Sequence, residues 1–256
     1  MKNQGMEIDV NCDLGEYPGT DNTGNDELIM PFISSANIAC GFHAGDPFTI
    51  EKTIMLARKS GVKIGAHPSY PDRENFGRKS MRMSDNDLRE TLIYQIRALK
   101  TIAEASGEIL SHVKPHGALY NDAAADYNLA MVIVQAIKSV DNSLLLFGPY
   151  GSQLSRAAFD EGLKFVGEFF ADRAYNDDGT LVSRKITGSV LHDTKMVIER
   201  VLKMVKDKEV ITISGKTIPI TAHTVCIHGD NELAPVFARE LMSELKANGI
   251  NVEPVR

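Results

Sequence analysis

Cysteine is scarce: Cys12, Cys40 and Cys226 are the three in 256 residues. An odd count excludes a complete disulfide framework, and no CxxC or Cys-His spacing of a zinc site occurs. Each lies in an apolar run, as a reduced, buried, small side chain does. No stretch approaches the ~20 apolar residues of a membrane helix. The opening MKNQGMEIDVNCD runs into a strand pattern without a signal-type apolar segment. The expectation is a soluble, cytoplasmic protein with no membrane partner. Lys and Arg form no block within a net charge of −6, which excludes nucleic acid, whose phosphates need clustered cations. A Ser/Gly-rich linker is also absent, so 1–256 reads as a single domain. With 43% hydrophobic and 24% charged residues, the chain has the length of one βα barrel.

Seven apolar runs read as strands, at 7–13, 35–41, 62–67, 111–116, 143–147, 164–170 and 223–228. Helical patterns alternate with them, starting near 26, 48, 84, 123, 151, 189 and 231. Seven βα units in one chain predict a distorted, seven-stranded parallel βα barrel. Ser84 and Asp87 form a capping-box-like start to a helix over 85–105, whose stripe is Leu88, Leu92, Ile96, Leu99 and Ile102. Gly61, Gly107, Gly162 and Gly249 sit just past helix ends. EVITISGKTIPITAHT predicts a β-hairpin insertion near 209–221. Its Ser214-Gly215-Lys216-Thr217 imitates the tail of a nucleotide P-loop, but Val210 stands where the first glycine belongs and no helix follows. Loops 14–25 and 171–187 are too long for plain connectors and are candidate lids or substrate loops.

Strands of a parallel barrel are covered on both faces and should be nearly continuous apolar runs. Several here are not. In the first, Ile8, Val10 and Cys12 alternate with Asp9, Asn11 and Asp13; in the fourth, Val113 and Pro115 alternate with His112, Lys114 and His116. The seventh sets Val225 and Ile227 against Thr224, Cys226, His228 and Asp230. Residues two apart share a face, so the apolar parity suits the helix layer and the polar one faces the lumen. Ions buried there cost several kcal/mol each unless paired or liganded. A single strand-end His or Asp is usually structural, which is the expectation for His112, His192 and His223. Convergence reverses the odds for Asp13, Lys114, His116 and His228, which end strands where barrel enzymes place their chemistry.

Six segments carry these groups: VNCDLGE (10–16), IACGFHAGD (38–46), IGAHPSYPD (64–72), VKPHGALYN (113–121), EFFADRAY (168–175) and VCIHGDN (225–231). With NFGR (75–78) they resemble the LamB/YcsF family over essentially the whole chain. The resemblance implies a variant βα barrel related to the glycoside hydrolase/deacetylase fold. It also implies a subunit that hydrolyses 5-oxo-L-proline to L-glutamate while ATP, as co-substrate, is cleaved to ADP and phosphate. The partners implied are companion subunits B and C. Asp13, Lys114, His116 and His228 are then the expected catalytic groups. Asn11, Glu16, His43, Asp46, His67, Arg173 and Asp230 are expected to bind substrate, Arg173 by clamping its carboxylate.

A divalent metal stays open, either magnesium with ATP or a zinc-type site on Asp13, His67, His116 and His228. No HExxH spacing demands one. Two other readings remain: a stand-alone, metal-dependent amidohydrolase or deacetylase, and a non-catalytic subunit that presents the lactam.

Overall fold

In the computed structural model, residues 6–17, 24–228 and 233–256 are described, His228 by its backbone. The strands are β1 (Met6–Leu14), β2 (Ser35–Ala39), β3 (Lys63–His67), β4 (Leu110–Val113), β5 (Leu145–Gly148), β6 (Phe165–Phe170), β7 (Glu209–Ile211), β8 (Thr217–Pro219), β9 (Thr224–His228) and β10 (Ile250–Val252). The helices are α1 (Asp26–Ile29), α2 (Pro47–Ser60), α3 (Asp85–Ala105), α4 (Gly117–Ala125), α5 (Tyr127–Val140), α6 (Gln153–Asp160), α7 (Thr194–Asp207) and α8 (Ala234–Ala247). Seven strands, β1 to β6 and β9, hydrogen-bond in a parallel cycle that closes where β9 pairs with β1. β10 continues the sheet beside the first residues of β1. The seven-stranded barrel expected from the sequence is the architecture found.

Closure follows from the alternation along each strand. Ile8, Val10, Cys12 and Leu14 of β1, Ala36 and Ile38 of β2, and Val225 and Ile227 of β9 are buried in the layer shared with the helices. There the α3 stripe of Leu88, Leu92, Ile96, Leu99 and Ala103 meets them. Burying a side chain of this size stabilises by roughly 1.5–3 kcal/mol. The Ser84 hydroxyl accepts from the Asp87 amide, which fixes the start of α3.

Helix boundaries differ at three places. The pattern expected from 123 is two helices, because Asp126 accepts from the Asn128 and Leu129 amides and starts α5 separately from α4. The helix expected from 189 starts at Thr194, where Asp193 caps it. The first helix is four residues long and passes into a 3-10 turn at Pro31. The insertion is the antiparallel pair β7–β8, and the P-loop look-alike is its turn. Loop 171–187 is tied down by bridges Arg173↔Val190 and Tyr175↔Leu181. Loop 14–25 includes residues 18–23, which lie outside the described residues.

The lumen is divided by chemistry. Leu145, Phe147 and Val166 fill the β5–β6 side. The β1, β2, β4 and β9 side is polar, and Asp9, Asn11, Asn37, His112, Lys114 and Thr224 are all buried there.

Candidate active site

Parallel pairing places the polar residues in layers. Asp9 is level with Thr224, Asn11 with Ser35 and Cys226, and Asp13 with Asn37 and His228. In the lowest layer Asp9 accepts from the hydroxyls of Ser34 at 2.6 Å, Ser35 at 2.7 Å and Thr224. Burial raises its pKa against those bonds, so this layer is structural. His112 is held by Ser111 Oγ at 2.9 Å and Asn37 Oδ1 at 2.8 Å and stacks on Phe147. Burial first, then the Lys114 charge, pushes its pKa down to about 3, leaving a neutral ring at ordinary pH. The structural expectation for His112 agrees with these contacts. Gly65 lies opposite it in register; a Cβ at Gly65 would come within 2.1 Å of His112 Nε2.

Lys114 occupies the middle layer and is 1% exposed. Its Nζ donates to Glu168 Oε1 (2.8 Å), Asp13 Oδ1 (3.0 Å), Cys226 Sγ (3.0 Å) and Asn11 Oδ1 (3.1 Å). Burial alone would lower its pKa. Asp13, Cys226 and Glu168 together outweigh burial and hold it well above the ordinary lysine value. Three N–H bonds shared among four acceptors leave it fully engaged. Glu168 also accepts from Tyr120 Oη at 2.8 Å and Asn11 Nδ2 at 3.0 Å. β4 ends at Val113, short of the expected 116, because Pro115 lacks an N–H. The amides of Lys114 and His116 nonetheless donate to the carbonyls of Ala66 and Pro68, which continues the direction of the strand.

Above Lys114 a histidine cluster opens on the C-terminal mouth. His67 Nδ1 donates to the Lys114 carbonyl at 2.7 Å, and His116 Nε2 donates to the Phe76 carbonyl at 2.9 Å. The remaining nitrogens, His67 Nε2 and His116 Nδ1, face each other at 2.9 Å. Asp13 Oδ2 lies 3.3 Å from His67 Nε2, and Glu16 Oε1 lies 3.5 Å from His116 Nδ1. His43 stacks on His116 with centroids 3.8 Å apart and reaches Glu16 Oε1 at 3.2 Å through Nε2. Burial, then His43 and His67, lowers the His116 pKa to about 2; burial lowers that of His43 and raises that of Glu16. Phe76, at φ +54°, turns edge-on to both rings. Gly117, at φ +56°, has no room for a Cβ, which would meet the Gly77 carbonyl at 2.5 Å. Glu16, His43, His67 and His116 form a group compatible with a divalent metal.

A cleft of about 450 Å³ covers this mouth and is lined by Asp13, Glu16, His67, Lys114 and His116. Arg78, Arg173, Arg184 and Lys185 rim it. Of the expected site residues, Asn11, Asp13, Glu16, His43, His67, Lys114 and His116 come together. Arg173 is at the cleft wall, but its Nη2 donates to the Val182 carbonyl at 2.6 Å and its Nε to that of Ser189, so its fork largely fastens its own loop. Asp46 accepts from the Thr49 amide as the N-cap of α2. His228 ends β9 in register with Asp13; its side chain and Asp230 lie outside the described residues. Sequence reasoning missed Glu168, Tyr120 and the rim cations Arg78, Arg184 and Lys185. Glu168 shares strand parity with Val166 and Phe170, and the rule that found Asp13 could have found it.

Comparison with known proteins bears on this geometry. The LamB/YcsF family matches residues 8–256. The 5-oxoprolinase A-chain component of Acinetobacter baylyi is 50% identical over 247 residues, covering 96% of this chain and 97% of that protein. The crystal structure of a lactam utilization protein from Thermus thermophilus superposes with a TM-score of 0.92 at 39% identity, covering 98% of this chain and all of that one. The catalytic domain of a peptidoglycan N-acetylglucosamine deacetylase from Eubacterium rectale is alike in fold alone, at 13% identity and a TM-score of 0.51. This chain belongs to the LamB/YcsF family.

Proposed function

We propose that this chain is the lactam-opening subunit of a 5-oxoprolinase. In this reading 5-oxo-L-proline is hydrolysed to L-glutamate at the barrel mouth, with ATP cleaved to ADP and phosphate in concert with companion subunits B and C. One observation carries it: the Asp13–Lys114 pair, 3.0 Å apart, adjoins the His67–His116 pair under a small cleft rimmed by four cations. Such a cleft suits a small anionic amide. The relatives named above supply the substrate.

A lactam is an unactivated amide, and transfer of the γ-phosphoryl group of ATP to its oxygen gives an imidate phosphate and ADP. A first water adds to the ring carbon, and the carbon–nitrogen bond breaks to leave an acyl phosphate. A second water then releases phosphate and L-glutamate. Asp13 takes the proton of the first water and returns it to the departing ring nitrogen. Lys114, whose donors are all engaged, keeps Asp13 ionised and in place and so acts as a positioning residue. Arg78, Arg184 and Lys185 meet the carboxylate and phosphoryl charges at the rim. Asn11 fixes Lys114, while Glu16 and His43 hold His116 in line. Arg173 shapes the wall. His228 and Asp230 complete the mouth from β9.

The test is ADP release, measured with and without 5-oxoproline, for this chain alone and after mixing with its companion subunits. Lactam-dependent ADP and L-glutamate in equal amounts, lost in Asp13→Asn, is the expected result. Turnover that persists in Asp13→Asn would place the chemistry on a companion protein and leave this chain a binding subunit. Lactam hydrolysis by this chain alone, indifferent to ATP, would favour the amidohydrolase reading.

A further inference from the structure

The two central histidines present an electrostatic mismatch that a cation resolves. A carbonyl oxygen only accepts, so the 2.7 Å contact to the Lys114 carbonyl puts the His67 hydrogen on Nδ1. The 2.9 Å contact to the Phe76 carbonyl puts the His116 hydrogen on Nε2. In neutral rings, His67 Nε2 and His116 Nδ1 are then both lone pairs, aimed at one another across 2.9 Å. Carboxylate oxygens approach the same point, Asp13 Oδ2 at 3.3 Å from His67 Nε2 and Glu16 Oε1 at 3.5 Å from His116 Nδ1. Four acceptors therefore converge with no donor among them. Ligand atoms about 2.0–2.2 Å from a tetrahedral ion sit roughly 3.4 Å apart, close to the spacings present.

We propose that His67 Nε2, His116 Nδ1 and the carboxylates of Glu16 and Asp13 form a binding site for one divalent cation of the zinc class. Two imidazoles with carboxylates favour zinc, cobalt or manganese over magnesium, which prefers all-oxygen ligands. The backbone carbonyls of Lys114 and Phe76 fix the outer ring nitrogens, the support that ligating histidines usually have. His43 is excluded as a ligand by its stacking. Its ring is parallel to that of His116 within 3° at 3.8 Å, and an ion in the plane of one ring cannot lie in the plane of the other. Its Nε2 instead positions Glu16 at 3.2 Å. The site adjoins the proposed lactam chemistry but does not depend on it.

The experiment uses the full-length chain stripped with a chelator and titrated calorimetrically with zinc, cobalt and magnesium, without lactam, ATP or partners. One equivalent of zinc or cobalt, retained through desalting and not displaced by excess magnesium, is expected. His67→Ala and Glu16→Gln should each weaken zinc binding by more than about 100-fold, beyond the loss of a supporting group. His192→Ala, exposed and remote in sequence, should leave it unchanged. Less than a tenth of an equivalent bound, or affinity unaffected by His67→Ala, overturns the site. Should the variants not fold, nitrogen-15 histidine spectra of the wild type decide. Zinc should shift His67 Nε2 and His116 Nδ1 while the outer N–H signals persist, whereas a shared imidazolium proton with no response to zinc refutes the proposal. Either result leaves the lactam reading to its own turnover test.

Discussion

Replacing Lys114 by methionine keeps most of the volume of the side chain and removes only the ammonium. Glu168, whose side chain is wholly buried, would lose its 2.8 Å ion pair, and Asp13, 13% exposed, its 3.0 Å one. Breaking a buried pair by removing one partner costs about 3–5 kcal/mol, because the remaining charge is uncompensated. Glu168 bears most of that here, since Asp13 still reaches solvent. At about 2.1 cal/mol/K per residue, the 256 residues have an unfolding entropy of about 0.5 kcal/mol/K. Lys114→Met should therefore lower Tm by about 6–10 °C, and urea titration should show the same loss without a changed slope. Because the cost arises from stranded charge, adding Asp13→Asn and Glu168→Gln to Lys114→Met should restore more than half of it. A single variant within 1 °C of the parent, or a triple variant no more stable than the single, would refute the ion-pair account of this layer.

Two further outcomes follow from His112. Gly65→Ala should destabilise by about 1–3 kcal/mol through overpacking, because a Cβ would meet a ring already pinned by Ser111 and Asn37. In a double-mutant cycle by urea unfolding, His112→Ala should remove at least about 1 kcal/mol of that cost, and additivity would show that the clash is not the cause. The second outcome concerns pH. The folded pKa of His112 is about 3, below the ordinary 6.5, so between these values the unfolded chain binds a proton that the folded one does not. Stability must fall as pH is lowered through that window, by up to about 1.4 kcal/mol per unit from this group. The stability difference between wild type and His112→Gln should therefore shrink from pH 7 to pH 5; a difference independent of pH would contradict a neutral His112.

Most of the barrel was legible because its strands break the rule for parallel sheets in a regular way. Asp9, Asn11 and Asp13 alternate with Ile8, Val10 and Cys12, and that parity alone assigned lumen and helix faces before any contact was known. The same parity in β4 placed His112 and Lys114 correctly. It stopped working where side chains come from elements other than strands. Tyr120 reaches Glu168 from the first turns of α4, and Phe76 fixes His116 from the loop after β3; nothing in strand periodicity encodes either. Asp46 shows the opposite error. As an acid at a strand end it resembled Asp13, yet Asp46-Pro47 followed by Thr49 is a helix start, and the carboxylate caps α2. Arg173 was legible as a cation near the site, but its bonds to the Val182 and Ser189 carbonyls depend on how its own loop folds back.

Lys114 links the structural and reactive halves of the lumen. A packed barrel interior normally stacks apolar side chains in layers, and this one does so on the β5–β6 side through Leu145, Phe147 and Val166. On the opposite side the middle layer is an ammonium between two carboxylates. Glu168 is fixed from below by Asn11 and Tyr120, so the position of Lys114 is set by the structural layers beneath it. Asp13 is held by Lys114 on one oxygen and lies near His67 with the other, while the Lys114 carbonyl sets the tautomer of that same His67. One residue thus fixes, through its side chain and its backbone, both the carboxylate and the imidazole that face the cleft. A conservative Lys114→Arg change cannot reproduce this, because a planar fork does not fit a tetrahedral cluster of acceptors that already encloses the ammonium.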